Sequence, residues 1–121
     1  MKVVKLSELP SEAVNTPLFT GGDVSRQTPF LPDEMTNMNF GVVSFASGSR
    51  NKMHRHTSDQ ILIITEGTGV VATPGEERTV TAGDVILIPA GEDHWHGAPG
   101  GTSMAHITIQ AKGSSTTQIE E

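Results

Sequence analysis

Four of the five histidines in this chain fall in two closely spaced pairs. The first pair is His54 and His56, and the second is His94 and His96. Because successive side chains of a β-strand face opposite ways, the two members of a pair project from the same face wherever the segment is extended. Imidazole nitrogens that converge from neighbouring strands suit a divalent transition metal. The two pairs therefore predict a metal site.

The fifth histidine, His106, lies between Met104 and Thr108 on one face of a strand-like run. If that face points inward, His106 is a candidate general base beside the metal, with a pKa near neutral pH. A histidine held by a backbone carbonyl is the alternative. His96 is equally open, since it would serve as a fifth ligand, as a base or as a hydrogen-bonded group of the core.

Glycines and prolines at regular distances surround both histidine pairs. The first segment contains Gly48, His54, His56, Gln60 and Gly67, and the second contains Gly83, Pro89, Gly91 and His94. This spacing resembles the two motifs of the cupin family, with Gln60 in place of the usual acid and Ala98 in place of the usual asparagine. The resemblance implies an all-β fold, the double-stranded β-helix or jelly-roll barrel, with a metal held between its two sheets.

The resemblance also implies a ligand set of His54, His56 and His94, with Gln60 at the fourth position. Gln60 can coordinate only through its amide oxygen; the alternative is that it hydrogen-bonds near the ion. Three imidazoles and an amide leave a divalent ion its full charge, which makes it a strong Lewis acid that prefers an anionic partner. Nitrogen and oxygen ligands accept manganese, iron, nickel, cobalt, copper or zinc, so the metal stays open.

Three segments, 59–67, 94–98 and 104–106, resemble a narrower group of single-domain cupins. This group includes the bacterial manganese-dependent hydroxynitrile lyases and the cupin domains of carboxymuconolactone-decarboxylase-like proteins. In the lyases three histidines and a glutamine bind the metal and a nearby histidine is the base, which implies His106 or His96 as the catalytic base here. The resemblance thus implies a metal-dependent lyase that acts on a cyanohydrin-like or 2-hydroxy-carbonyl substrate.

Two other functions stay open at this stage. One is a metal-dependent dioxygenase, and the other is a non-catalytic module that binds or senses a small ligand. Each of the three functions implies a small, anionic or oxygen-bearing partner molecule. The resemblance also implies a homodimer, because sheet edges and an N-terminal arm often pair across subunits.

The elements that position these residues are predicted to be short strands. The chain has 121 residues with 13 glycines and 7 prolines, which suits one domain of strands joined by tight turns. We expect an N-terminal arm over 1–36, a barrel core over 37–111 and a polar, frayed tail over 112–121. Within the core, Glu66 and Gly67 are expected to connect a hairpin, and Thr73–Glu76 to form a type II turn.

Composition excludes several kinds of chemistry. There is no cysteine, which rules out a disulfide frame and a thiolate nucleophile, and the net charge of -6 disfavours nucleic acid and anionic membranes as partners. No apolar run approaches the roughly 20 residues of a membrane span. The first ten residues contain no apolar signal segment, so a cytoplasmic location is expected.

Overall fold

The computed structural model describes residues 1–121 and consists mainly of short strands. The strands are β1 (Glu12–Ala13), β2 (Phe19–Thr20), β3 (Val24–Gln27), β4 (Met38–Phe45), β5 (Arg50–Asn51), β6 (His54–His56), β7 (Gln60–Thr73), β8 (Glu76–Thr81), β9 (Val85–Ile88), β10 (Trp95–Gly97), β11 (Met104–Ala111) and β12 (Thr116–Gln118). The only helical segments are two 3-10 turns, Leu6–Glu8 and Pro32–Glu34. None of the helical segments has the length or the apolar character needed to cross a membrane.

The longest strand, β7, is shared by two sheets. Its first half pairs with β11 and β9, and its second half pairs with β8 and β10. The first sheet continues from β11 through β4 and β3 to β1, and the second continues from β10 through β5 to β2. All of these pairings are antiparallel, and the sheets curl around a common interior. This arrangement confirms the predicted all-β jelly-roll barrel.

The predicted hairpin at Glu66 and Gly67 is wrong, because β7 runs through both residues without reversing. The register with β11 shifts there instead, so that Thr65 has no partner opposite it. Gly67 has a φ of +73°, and a Cβ at this position would collide with the carbonyl oxygen of Ser103. The glycine therefore permits a β-bulge that bends one strand from the first sheet into the second.

The predicted hairpin between β7 and β8 is confirmed, since Thr73 pairs with Glu76 across Pro74 and Gly75. The expected turn type is wrong. A type II turn needs a positive φ at its third residue, and Gly75 does not have one. The connection still closes because a proline at the second position is compatible with other turns.

The tail was expected to be frayed, and this expectation is wrong for residues 116–118. They form β12, which pairs with β6, the strand that carries His54 and His56. The carboxylate of Glu120 then accepts hydrogen bonds of 2.8–3.0 Å from the Arg50 guanidinium and the Met53 amide. The sequence of the tail does not predict this pairing, because the tail is held by hydrogen bonds and not by apolar packing.

The apolar core fills the barrel beside the histidines. Its ten buried residues are Val24, Val43, Phe45, Leu62, Ile64, Val71, Val80, Ile88, Ala98 and Met104. Phe45 links this core to the functional residues, because its ring centroid lies 5.4 Å from that of His106 and 5.8 Å from that of His96. The core therefore supports the histidines through direct aromatic contacts.

Candidate metal centre

His54 and His94 are brought together by their own backbones. Each amide N–H donates a 2.9 Å hydrogen bond to the other residue's carbonyl oxygen, which forms an isolated antiparallel bridge. Their ring centroids consequently lie 4.3 Å apart. His56 follows two positions later on β6, and burial alternates as expected, with His54 and His56 inside and Arg55 outside.

One nitrogen from each of these three rings lies within 4.8 Å of the other two. All three residues are buried, His94 completely so. The prediction that His54, His56 and His94 gather at one point from separate parts of the chain is therefore matched by the geometry. A group of this kind could hold a metal ion.

The outward-facing nitrogens of the cluster are already engaged. The Nδ1 atoms of His54 and His94 donate to the carbonyl oxygens of Lys52 and Glu92, at 2.6 and 2.9 Å. His56 Nδ1 is hydrogen-bonded to Thr116 Oγ1 at 2.8 Å. When Nδ1 carries the proton, the Nε2 atom of a neutral imidazole has a free lone pair. The backbone thus presents Nε2 lone pairs to the interior, which is how ligating histidines are usually held.

Gln60 directs its amide oxygen toward the same point. Its Nε2 donates to Thr108 Oγ1 at 2.9 Å, and its Oε1 lies 3.0 Å from His94 Nε2. Because His94 Nδ1 is a donor, His94 Nε2 and Gln60 Oε1 face each other as two acceptors. His56 Nε2, also buried, has no partner at all. Converging acceptors without a donor suit a bound cation, so the residues fit a metal.

Burial keeps the cluster neutral at physiological pH. It lowers the pKa of His54 and of His56 to about 4, and repulsion from His94 contributes for both. Burial also lowers the pKa of His94, although the Glu92 carbonyl opposes the change. Metal ligation requires neutral imidazoles, so ion binding at neutral pH would not have to displace protons from the ligating nitrogens.

The two candidate bases form a separate pair next to the cluster. His106 Nε2 lies 3.0 Å from His96 Nδ1, and the backbone amide of His96 donates to Asn51 Oδ1 at 2.8 Å. His106 Nδ1 is buried and makes no hydrogen bond to another residue, and the backbone carbonyl of His106 itself raises the pKa of the ring. Burial lowers the pKa of His106 to about 4, below the near-neutral value expected from the sequence. Burial and repulsion from His106 also hold the pKa of His96 well below its usual value. His96 is not part of the three-nitrogen cluster, and it links Asn51 to His106.

A cavity of about 290 Å³ opens onto both groups of histidines. His54, His56, His96, His106 and Gln60 lie in its wall. Six of its 19 lining residues are apolar, namely Val14, Leu18, Phe19, Phe40, Val43 and Phe45, and most of the remainder are polar. Arg26 is the only residue of the lining with a permanent charge. A cavity of this size and composition suits one small molecule with an apolar body.

Sequence reasoning missed three residues of this site. Thr116 contacts His56 from the tail, Arg26 enters the cavity wall from the N-terminal arm, and Asn51 holds His96. Only Asn51 carried a local signal, because it lies inside the first histidine segment. The other two reach the site through pairings between distant strands, which no local pattern indicates.

The fold and the site together define a small double-stranded β-helix protein with a buried three-histidine cluster. Residues 41–109 match the cupin domain family, and the chain belongs to that family. This assignment confirms the resemblance found in the sequence.

Three curated relatives are similar to parts of the chain. An (R)-mandelonitrile lyase from Granulicella tundricola is 39% identical over 71 residues, which is 58% of this chain and 54% of the lyase. A dimethylsulfoniopropionate lyase from Ruegeria pomeroyi is 30% identical over 69% of this chain and 59% of its own length. A gentisate 1,2-dioxygenase from a Ralstonia species is 37% identical over 57% of this chain and 20% of its own length. The chain therefore spans little more than half of the two lyases and a smaller part of the dioxygenase.

Solved structures agree with the fold. A cupin-like protein from Thermotoga maritima superposes with a TM-score of 0.81 at 30% identity, covering 90% of this chain and 84% of that protein. The polyketide cyclase RemF from Streptomyces resistomycificus superposes with a TM-score of 0.89 over 100% of this chain and 87% of its own. At 17% identity, the second similarity shows the fold alone.

Proposed function

We propose that this protein is a metal-dependent lyase that cleaves a cyanohydrin-like or 2-hydroxy-carbonyl substrate. The observation that carries the proposal is the convergence of His54, His56, His94 and the Gln60 oxygen beside a cavity that also contains His106. The similarity to a mandelonitrile lyase supports the reaction class. A divalent metal, manganese in the first instance, would be held by these four residues and would polarise an oxygen of the substrate.

In the proposed reaction His106 acts as the base. It takes the hydroxyl proton of the substrate at Nδ1, the ring nitrogen that makes no hydrogen bond to another residue, while Nε2 stays hydrogen-bonded to His96. The carbon–carbon bond to cyanide breaks, the electron pair leaves with the cyanide, and the hydroxyl carbon becomes a carbonyl. The proton then returns from His106 to the cyanide. No oxidant is consumed.

The test combines metal analysis with anaerobic turnover. We expect the purified protein to hold about one divalent ion per chain and to release benzaldehyde and cyanide from (R)-mandelonitrile without oxygen. His94→Ala should lose the ion, and His106→Ala should keep the ion but lose turnover. A wild-type protein that binds no divalent metal, or a His106→Ala variant of full activity, would refute the proposal.

A dioxygenase is the second candidate, supported by the similarity to a gentisate 1,2-dioxygenase. It differs from the lyase in needing a redox-active metal and molecular oxygen. An oxygen electrode separates the two, because cleavage that consumes oxygen excludes the lyase and cleavage under argon excludes the dioxygenase.

A binding or sensor module is the third candidate. Substitution of His106 distinguishes such a module from an enzyme. The unpartnered Nδ1 of this residue matters for proton transfer but not for holding an ion in the three-histidine cluster. A binder would therefore keep its ligand affinity in His106→Ala and would show no turnover in the wild type. Calorimetry of ligand binding beside the activity assay measures both properties.

We also propose a homodimer that is formed through the outer face of the first sheet. Ile61 pairs with Leu87 across β7 and β9, and both side chains are exposed, as is Val85 two positions away. Three neighbouring exposed aliphatic side chains on one sheet face favour association with a second copy. Leu87→Lys should give a monomer in light scattering, and Leu31→Lys, an equally apolar change on the arm, should not. A wild-type monomer at micromolar concentration would contradict this proposal.

A further inference from the structure

The wall of the cavity includes an exposed arginine, Arg26, that no carboxylate of the chain neutralises. The chain has four arginines, and three of them pair with a carboxylate, as Arg50–Glu120, Arg55–Asp93 and Arg78–Glu76. Arg26 makes no ion pair and no side-chain hydrogen bond, although acidic residues outnumber basic ones by 14 to 8. No carboxylate lines the cavity. A guanidinium that faces a cavity without a counterion favours an anionic guest.

The position of Arg26 is built into the strands around it. Arg26 lies opposite Val43 in the β3–β4 ladder, and its side chain crosses the inner face over Gly41, the diagonal neighbour. A Cβ at position 41 would lie 2.6 Å from Arg26 Nη2 and 3.0 Å from Cζ. The guanidinium therefore occupies the space beside the backbone that a side chain at position 41 would enter.

A second donor lies at the same end of the cavity. Gln110 pairs with Asn39, two positions along β4 from Gly41, and its Nε2 is buried without a hydrogen-bond partner. An unpartnered buried amide donor costs free energy unless a ligand satisfies it. Arg26 and Gln110 therefore offer a guanidinium and an amide N–H₂ to one oxyanion.

We propose that Arg26 selects substrates with a carboxylate at the end remote from the reacting oxygen. This inference rests on the proposed function and adds the substrate class to it. Gly41 pairs with Thr108, and Thr108 accepts the hydrogen bond from Gln60. The Arg26 guanidinium lies over Gly41 on β4 and is thus two strand spacings, about 10 Å, from Gln60 on β7. The substrate has an oxygen at the histidine end, an apolar body and a carboxylate at the Arg26 end.

The test compares two ligands that differ only in charge, 4-(hydroxymethyl)benzoate and 4-(hydroxymethyl)benzamide. Calorimetry with the metal-loaded and the metal-free wild type should show the benzoate binding about tenfold tighter than the benzamide. Arg26→Gln should reduce the benzoate affinity to that of the benzamide, with the benzamide affinity and the metal content unchanged.

Arg78→Gln is the matched control. It removes the same charge from an exposed position on β8 outside this cavity, and the preference for benzoate should persist. Equal binding of the two ligands by the wild type, a full preference in Arg26→Gln, or an equal loss in Arg78→Gln would overturn the inference. Failure of the lyase proposal is measured separately, as absence of bound metal or of anaerobic (R)-mandelonitrile cleavage in the wild type.

Discussion

Thr116 Oγ1 lies 2.8 Å from Nδ1 of His56, so a residue of the C-terminal tail orients a ligand of the candidate metal centre. The other two histidines of the cluster rely on backbone carbonyls for the same purpose. A side-chain hydroxyl can be removed by substitution, whereas a carbonyl cannot. The His56–Thr116 contact is therefore the one orienting interaction of the cluster that mutagenesis can test directly.

Thr116→Val should weaken metal binding by roughly 10- to 100-fold, the usual range for loss of a group that orients a ligating histidine. Valine keeps the shape and the strand propensity of threonine, and Thr116→Ser should restore most of the affinity through its hydroxyl. Competition with a chelator measures the dissociation constants. Equal metal affinity in the valine variant and the wild type would show that β6 orients His56 without help.

Glu120→Gln should loosen the tail. The Glu120 carboxylate accepts hydrogen bonds from Arg50 and from the Met53 amide, directly before β6, and charged hydrogen bonds are stronger than neutral ones. Because the ion pair is partly exposed, we expect a modest effect, about fivefold faster hydrogen exchange at residues 116–118. Mass spectrometry of the exchanged peptides measures it. Glu121→Gln, the same change one residue later, is the control and should exchange as the wild type does.

Gln60→Glu should bind the divalent metal about tenfold more tightly and turn over more slowly. A carboxylate adds a negative charge at the ion, which strengthens ligation but lowers the positive charge available to polarise the substrate. Metal competition and initial rates measured on the same preparation give both quantities. Asn37→Asp makes the same amide-to-acid change on an exposed residue and should alter neither. A faster Gln60→Glu enzyme would contradict the proposed role of the amide.

Acid should destabilise the metal-free protein over a pH range that depends partly on the pKa of His106. Its pKa falls from 6.5 to about 4 on folding because the ring is buried. Between these two pKa values the unfolded chain binds more protons than the folded chain. The free energy of unfolding therefore decreases as the pH falls from 6.5 toward 4. At full effect a lowering of this size corresponds to about 3 kcal/mol.

Urea unfolding of the metal-free protein at several pH values between 7 and 4 tests this prediction. The wild type should lose stability more steeply than His106→Gln, which has no titrating group at this position. Parallel pH profiles for the two proteins would show that His106 gains its proton equally well in the folded and unfolded states. The comparison uses the slope of the free energy of unfolding against pH. A pH-independent loss of stability in the variant therefore does not affect it.

The sequence by itself determined the barrel and the gathering of His54, His56, His94 and Gln60. A spacing of two residues puts both histidines of a pair on one face of a strand, and this relation is local. Local sequence patterns did not predict features that depend on pairing between distant strands. Glu66 and Gly67 resemble a turn in the sequence, but β7 continues through them and pairs with β11 on both sides of a register shift at Thr65.

Only the tertiary structure decided what surrounds the metal centre. Arg26 faces the cavity because β3 pairs with β4 in a register that sets its side chain over Gly41, and Thr116 reaches His56 because the tail adds a strand to β6. These contacts join residues that are 15 and 60 positions apart in the chain. The hydrogen-bond register between distant strands leaves no periodic pattern in the sequence. The histidine cluster was therefore predictable, and its contacts with distant strands were not.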